Sequence, residues 1–215
     1  MYRPPHPGPP LESRYDGAVF ISFEGLDGCG KTTQARLLAD AFEAEGTRVV
    51  RVREPGGTPA GERIRELLLD PAARIGPRAE AMLYAAARAQ LVEDVIRPAL
   101  EGGAHVVADR FIDSSLAYQG VARGLGIDEV MALNAFGTAG LWPDRTVLLR
   151  LDTELAAARR GPGPDRIEAE HDGFHRAVAD GFEQAARRFP ERITVVDGGG
   201  TPDQVLGRVR EAVGL

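Results

Sequence analysis

The chain has 215 residues, with 26 Lys+Arg against 32 Asp+Glu and a formal net charge of −6. A mildly acidic balance is wrong for a protein that coats nucleic acid or an anionic membrane, and no apolar run approaches the ~18 residues of a transmembrane helix. One cysteine, Cys29, rules out an internal disulfide and fits a reducing cytoplasm.

In chain order, residues 1–16 come first, a polar stretch with five prolines among its first ten residues. It lacks the apolar centre of a signal peptide and reads as a disordered tail. Residues 17–215 then read as one domain. Strands are predicted at 18–24, 48–53, 105–109, 145–151 and 193–196, where Val, Ile, Leu and Phe cluster. Helices are predicted at 31–45, 59–69, 78–100, 114–123, 128–139, 153–160, 170–189 and 202–213. Thr58-Pro59 and Thr201-Pro202 carry the cap-then-proline start signal, and Thr201 with Gln204 fits a capping box. Strands alternating with helices predict an α/β fold, a central parallel five-stranded sheet covered on both faces. Gly161, Pro162, Gly163 and Pro164 sit among Arg159, Arg160 and Arg166, and predict a short mobile lid at about 158–168.

Gly25-Leu26-Asp27-Gly28-Cys29-Gly30-Lys31-Thr32 matches the P-loop pattern, and Thr33 continues it into a helix. An apolar strand enters it and an amphipathic helix leaves it, as the motif requires. Its glycines let backbone N–H groups face inward as an anion nest, with the helix N-terminus aimed at the same point. Lys31 can reach the β- and γ-phosphates and Thr32 can ligand Mg²⁺. Lys31 is the only lysine among the 26 basic residues, the other 25 being arginine. That suits a site needing a compact ammonium rather than a planar fork. Cys29 fills a small-residue slot. The histidines His6, His105, His171 and His175 show no metal-ligand spacing. GTPase base-reading motifs need a second lysine and large ATPases need more chain, so a nucleotide or small-metabolite kinase remains.

Three further segments narrow the class: Arg53-Glu54-Pro55-Gly56-Gly57-Thr58, Asp109-Arg110-Phe111 with its continuation to Gly120, and Asp165-Arg166-Ile167-Glu168. With the P-loop they make the chain resemble the thymidylate kinase family, its bacterial members in particular, from about Val19 to Val213. The resemblance implies a P-loop kinase fold, ATP as donor, dTMP as acceptor, Mg²⁺ and a homodimer. It implies no nucleic-acid polymer and no membrane as partner.

Each acceptor-side residue has a chemical reading beside the family one. Asp109-Arg110 ends a strand, where open α/β sheets bind ligands. Arg110 can grip the acceptor phosphate as a bidentate fork, or form only a structural ion pair with Asp109; Asp109 would orient Arg110 or a Mg²⁺-bound water. Tyr84 and Arg88 are i, i+4 and share a helix face; the family stacks an aromatic, usually Phe, on thymine at the position of Tyr84, and Arg88 would bond the pyrimidine edge. Family positions matching Ser115 and Gln119 contact the base, with Ser114 a nearby alternative, and Tyr118 lies under the deoxyribose where a 2′-OH would clash. Glu54 would order the site and Arg65 contact the acceptor phosphate. Asp27 would position Mg²⁺ water or the 3′-OH.

The nucleophile is a phosphate monoester whose second pKa is near ~6, so no general base is needed. Catalysis is then alignment and charge neutralisation, with Lys31, Asp27 and Arg110 as its fixed part. The P-loop itself carries no arginine, so the transition-state charge is expected from the lid, from Arg160 or Arg166. The rival readings are a monophosphate kinase of altered acceptor choice and an ATP-binding module without turnover.

Overall fold

The computed structural model describes residues 15, 17–159 and 164–214. Most of the predicted tail lies outside them, but Tyr15 is described, its hydroxyl accepting from Arg97 at 3.4 Å. Five strands form one parallel sheet: β1 (Phe20–Glu24), β2 (Val49–Arg53), β3 (His105–Asp109), β4 (Arg145–Arg150) and β5 (Ile193–Asp197), in the order β2-β3-β1-β4-β5. Phe23 lies opposite Asp109 on one side of β1 and opposite Val147 on the other. β1 is central and wholly buried, which is why it reads as an apolar run rather than an alternation.

Side chains of β1 nonetheless alternate between the sheet's faces. Ile21 and Phe23 pack with Leu38 and Phe42 of α1 (Lys31–Ala44) and with Val205 and Val209 of α9 (Pro202–Val213). Phe20 packs on the other face with Leu91, Ile96 and Phe111. The helices between are α2 (Pro59–Leu69), α3 (Pro77–Leu91), α4 (Arg97–Glu101), α5 (Ile112–Ser115), α6 (Ile127–Gly137), α7 (Thr153–Ala158) and α8 (Asp172–Arg188). Their start signals are structural: Thr58 accepts from Gly61 N–H, and Thr201 with Gln204 closes the predicted capping box.

Two predicted helices differ in winding. The segment 78–100 is α3 and α4 joined by a π-helical turn, Val92–Ile96. Pro98 cannot donate to the carbonyl four residues back, so the α-ladder is interrupted there. The segment 114–123 begins earlier, at Ile112, and widens into a π-helix over Leu116–Ala122, the stretch that carries Tyr118 and Gln119. Such widened turns concentrate at functional sites. The helix predicted at 170–189 starts at Asp172 because His171 caps it, its ring nitrogen accepting from Phe174 N–H at 3.1 Å.

Candidate active site

The carboxyl ends of β1 and β3 open into a cleft of about 800 Å³. On one side lies the β1–α1 loop, Gly25 to Gly30. Gly28 has φ +86° and Gly30 φ +100°; a Cβ on Gly28 would stand 2.1 Å from the Ala156 carbonyl oxygen, so only glycine fits against α7. Lys31 opens α1, buried, with Nζ donating to Leu26 O at 2.7 Å and 3.8 Å from Asp27. Burial, and then the nearby Arg110 charge, lower its pKa. Its neighbour Thr32 donates to Asp109 Oδ2 at the end of β3. A hydroxyl and a carboxylate side by side at the mouth of a phosphate nest are a hard-oxygen donor set, suited to Mg²⁺ completed by water and phosphate. Among the described residues no three His, Cys, Asp or Glu side chains cluster as an all-protein metal site.

Opposite the nest stands Arg110, in the left-handed region at φ +70°, a strained conformation for a non-glycine residue. That turn drives its guanidinium back under the loop, donating to Gly25 O at 3.1 Å, to Ser114 Oγ at 2.9 Å and to Asp27. Tyr118 completes the group, its hydroxyl donating to Asp27 at 3.2 Å and its ring lying 5.3 Å from the guanidinium carbon. Burial pushes Asp27 up, but Arg110 and Lys31 outweigh it and hold the carboxyl well below the usual range. Beneath them Glu24 accepts from Phe111 N–H at 2.8 Å and Ser114 Oγ at 2.5 Å. Burial, helped by the Asp113 charge, pushes Glu24 up to about 8.

The remaining predicted residues divide. Glu54, Arg65, Tyr84, Arg88, Ser114, Ser115, Tyr118 and Gln119 all line the cleft. Arg65 donates to Pro55 O at 2.9 Å, across the cis Glu54–Pro55 bond's loop. Arg88 is the most enclosed of them. It is 1% exposed, and its N–H groups go to Glu54, Ser115, Asn134 and Phe111 O. A guanidinium has five N–H donors, and here all are engaged by protein, so Arg88 reaches a base edge only by giving up one of them. It locks Glu54 to Ser115 of α5 and Asn134 of α6.

The lid arginines separate as well. Arg166 is not on a free lid: its Nε donates to Leu68 O at 2.7 Å and its Nη2 lies 2.8 Å from the buried Glu80. Those two anchors tie it to α2 and α3. Arg160 lies outside the described residues. Arg159, exposed after α7, lines the cleft. So do Arg53, Asp165, Ile167 and Glu168, from the two motif segments, and the segment Gly198, Gly200 and Pro202, which the sequence reading did not single out. Gln34 Nε2 donates to Pro202 O at 2.9 Å, tying that segment to the phosphate helix. Three successive glycines after the last strand were the available signal for it.

Comparison with known proteins agrees with this arrangement. A family model for thymidylate kinase matches residues 23–209. The chain is 51% identical over 180 residues to a thymidylate kinase of Caldanaerobacter subterraneus subsp. tengcongensis, covering 83% of this chain and 86% of the relative. A thymidylate kinase of Gloeobacter violaceus is 50% identical over 199 residues, 91% of this chain and 94% of the relative. The crystal structure of thymidylate kinase from Ehrlichia chaffeensis superposes with a TM-score of 0.75 at 33% identity, covering 92% of this chain and 99% of that one. The fold is the P-loop kinase fold, and the chain belongs to the thymidylate kinase family.

Proposed function

We propose that the cleft is where this ATP-dependent dTMP kinase carries out its reaction, one side holding the donor and the other the acceptor. The carrying observation is that a single cavity joins the Gly28–Thr32 nest to Arg65, Tyr84 and Gln119. Lys31 and the nest's N–H groups hold the β- and γ-phosphates, and Thr32 with Asp109 would hold Mg²⁺, which would offset charge between donor and acceptor oxygens. Arg110 and Arg65 face the acceptor phosphate. Asp27, kept ionised by Arg110 and Lys31, fixes Arg110 and Tyr118, and would position a Mg²⁺-bound water or the 3′-OH. Tyr84 stacks on the base, Ser115 or Ser114 and Gln119 contact it, and Tyr118 fills the space of a 2′-OH.

An acceptor phosphate oxygen forms the new P–O bond to the γ-phosphorus while the bond to the bridging oxygen breaks, giving dTDP and ADP. No proton need be removed from a nucleophile already ionised at neutral pH. The lid charge falls to Arg159, with Arg160 its neighbour, and Arg166 serves as the hinge-side anchor. The tail, the single domain at 17–215 and the lid at about 158–168 belong to the same reading.

A homodimer in the cytoplasm completes it. Phe136 on α6 is 89% exposed and Met82 on α3 is 59% exposed, and these two helices pack together, so an apolar face is left for a second copy. Among the described residues no helix is long and apolar enough to cross a membrane. The test is ADP release with Mg-ATP against a panel of monophosphates. Rapid turnover with dTMP, and slow turnover with the ribonucleotide TMP and with purine monophosphates, is expected. Preferred turnover of another acceptor, or tight ATP binding without turnover, would replace this reading by one of its rivals.

A further inference from the structure

Glu80 lies on α3 one turn before Tyr84, and it is 0% exposed. Three side chains converge on its carboxylate. Gln119 Nε2 donates to Oε1 at 3.0 Å, Arg123 donates to both oxygens at 3.1 Å, and Arg166 Nη2 stands 2.8 Å from Oε2. Burial raises its pKa, but the bonds from Arg123, Gln119 and Arg166 outweigh burial and lower it, so the group is ionised at neutral pH. Arg123 is itself fixed, paired to Glu170 at 2.6 Å and lying 4.4 Å over the Phe174 ring.

An ionised carboxylate accepts hydrogen bonds and donates none. Gln119 must therefore offer Glu80 its NH₂ end, which leaves the amide oxygen as the end turned to the cleft that Gln119 lines. Without the carboxylate the amide is free to turn over, because its two ends are nearly the same size.

We propose that Glu80 is a positioning residue for acceptor choice: it holds the Gln119 amide oxygen toward the cleft, selecting bases that present a ring N–H there over bases that present a lone pair. The proposal rests on the reading of the cleft as a dTMP site. Thymine and uracil carry hydrogen on N3, whereas cytosine has a lone pair at that atom and would meet the amide oxygen acceptor to acceptor. The two arginines keep Glu80 ionised and so keep the selection in force.

The test measures kcat and KM for dTMP, dUMP and dCMP in the parent, Glu80→Gln, Glu80→Asp and Gln119→Leu, each with its thermal midpoint. The parent should favour dUMP over dCMP by about 10²-fold or more in kcat/KM, the scale set by a polar group left unpaired. In Glu80→Gln that ratio should fall about tenfold, with KM for dTMP rising and kcat within about threefold, the pattern of lost binding rather than lost chemistry. Glu80→Asp keeps a charge for the two arginines but draws the carboxylate back from Gln119, and should show the same collapse if Glu80→Gln does not fold. Gln119→Leu leaves Glu80 with its arginines; it should also lose the ratio, and its keeping the ratio would overturn the proposal even if neither Glu80 variant folds. A folded Glu80 variant with the parent's ratio, or Gln119→Leu with it, overturns the proposal. A parent that turns over neither dTMP nor dUMP overturns the function reading instead.

Discussion

Lys31 shows how much one side chain's shape decides. It sits 6% exposed in a nest of backbone groups, with one N–H already bonded to Leu26 O. A point charge on a thin stem fits there, and a planar fork with five donors does not. Lys31→Arg should therefore lower kcat by several orders of magnitude although the charge is kept, as a steady-state assay would show; near-parental turnover would mean that the lone lysine is an accident of composition. Glu24 makes a different prediction, in pH. Its folded pKa is near 8 against an ordinary 4.5. Between those values the folded chain holds a proton that the unfolded chain has released, so stability from this group falls as pH rises and levels off above about 8. Glu24→Gln cannot ionise. Its thermal midpoint should decline less than the parent's between pH 5 and pH 9, and parallel declines would contradict the assignment.

At the scale of elements, the described residues on either side of the proposed lid are placed by their neighbours. The α7 end carries Arg159 into the cleft, while the far side is fastened by Arg166 to Leu68 O and Glu80. An arginine that meets the transferring phosphoryl group only in the transition state supplies ~10³–10⁵ in rate. Arg159→Ala should then lower kcat by at least about tenfold while dTMP binding, followed by calorimetry, stays within about threefold. Equal losses in both would make Arg159 a ground-state contact. Much of this scale was legible in the sequence. The strands fall where apolar runs predicted them, and capping chemistry marked the starts of α2 and α9. The π-helical turns were not legible, because periodicity over a few residues does not separate 3.6 from 4.4 residues per turn.

For the molecule as a whole, the sequence carried the fold class and the residues around the cleft, since motifs at strand ends come together in any open parallel sheet. It did not carry the pairing of charges. With 26 basic and 32 acidic residues, composition cannot say that Arg88 gives its donors to Glu54 and Asn134, or that Arg166 pairs with Glu80. Those partnerships depend on how α3, which carries both Glu80 and Arg88, packs against its neighbours. The central claim is that this one cleft joins the two substrates for direct transfer. The most direct test follows the label from ATP carrying ³²P in its γ position, mixed with excess enzyme, Mg²⁺ and dTMP. The label should move into dTDP in a single turnover, with none released as inorganic phosphate. Label released as phosphate, or left on ATP while dTMP is bound, would contradict the account.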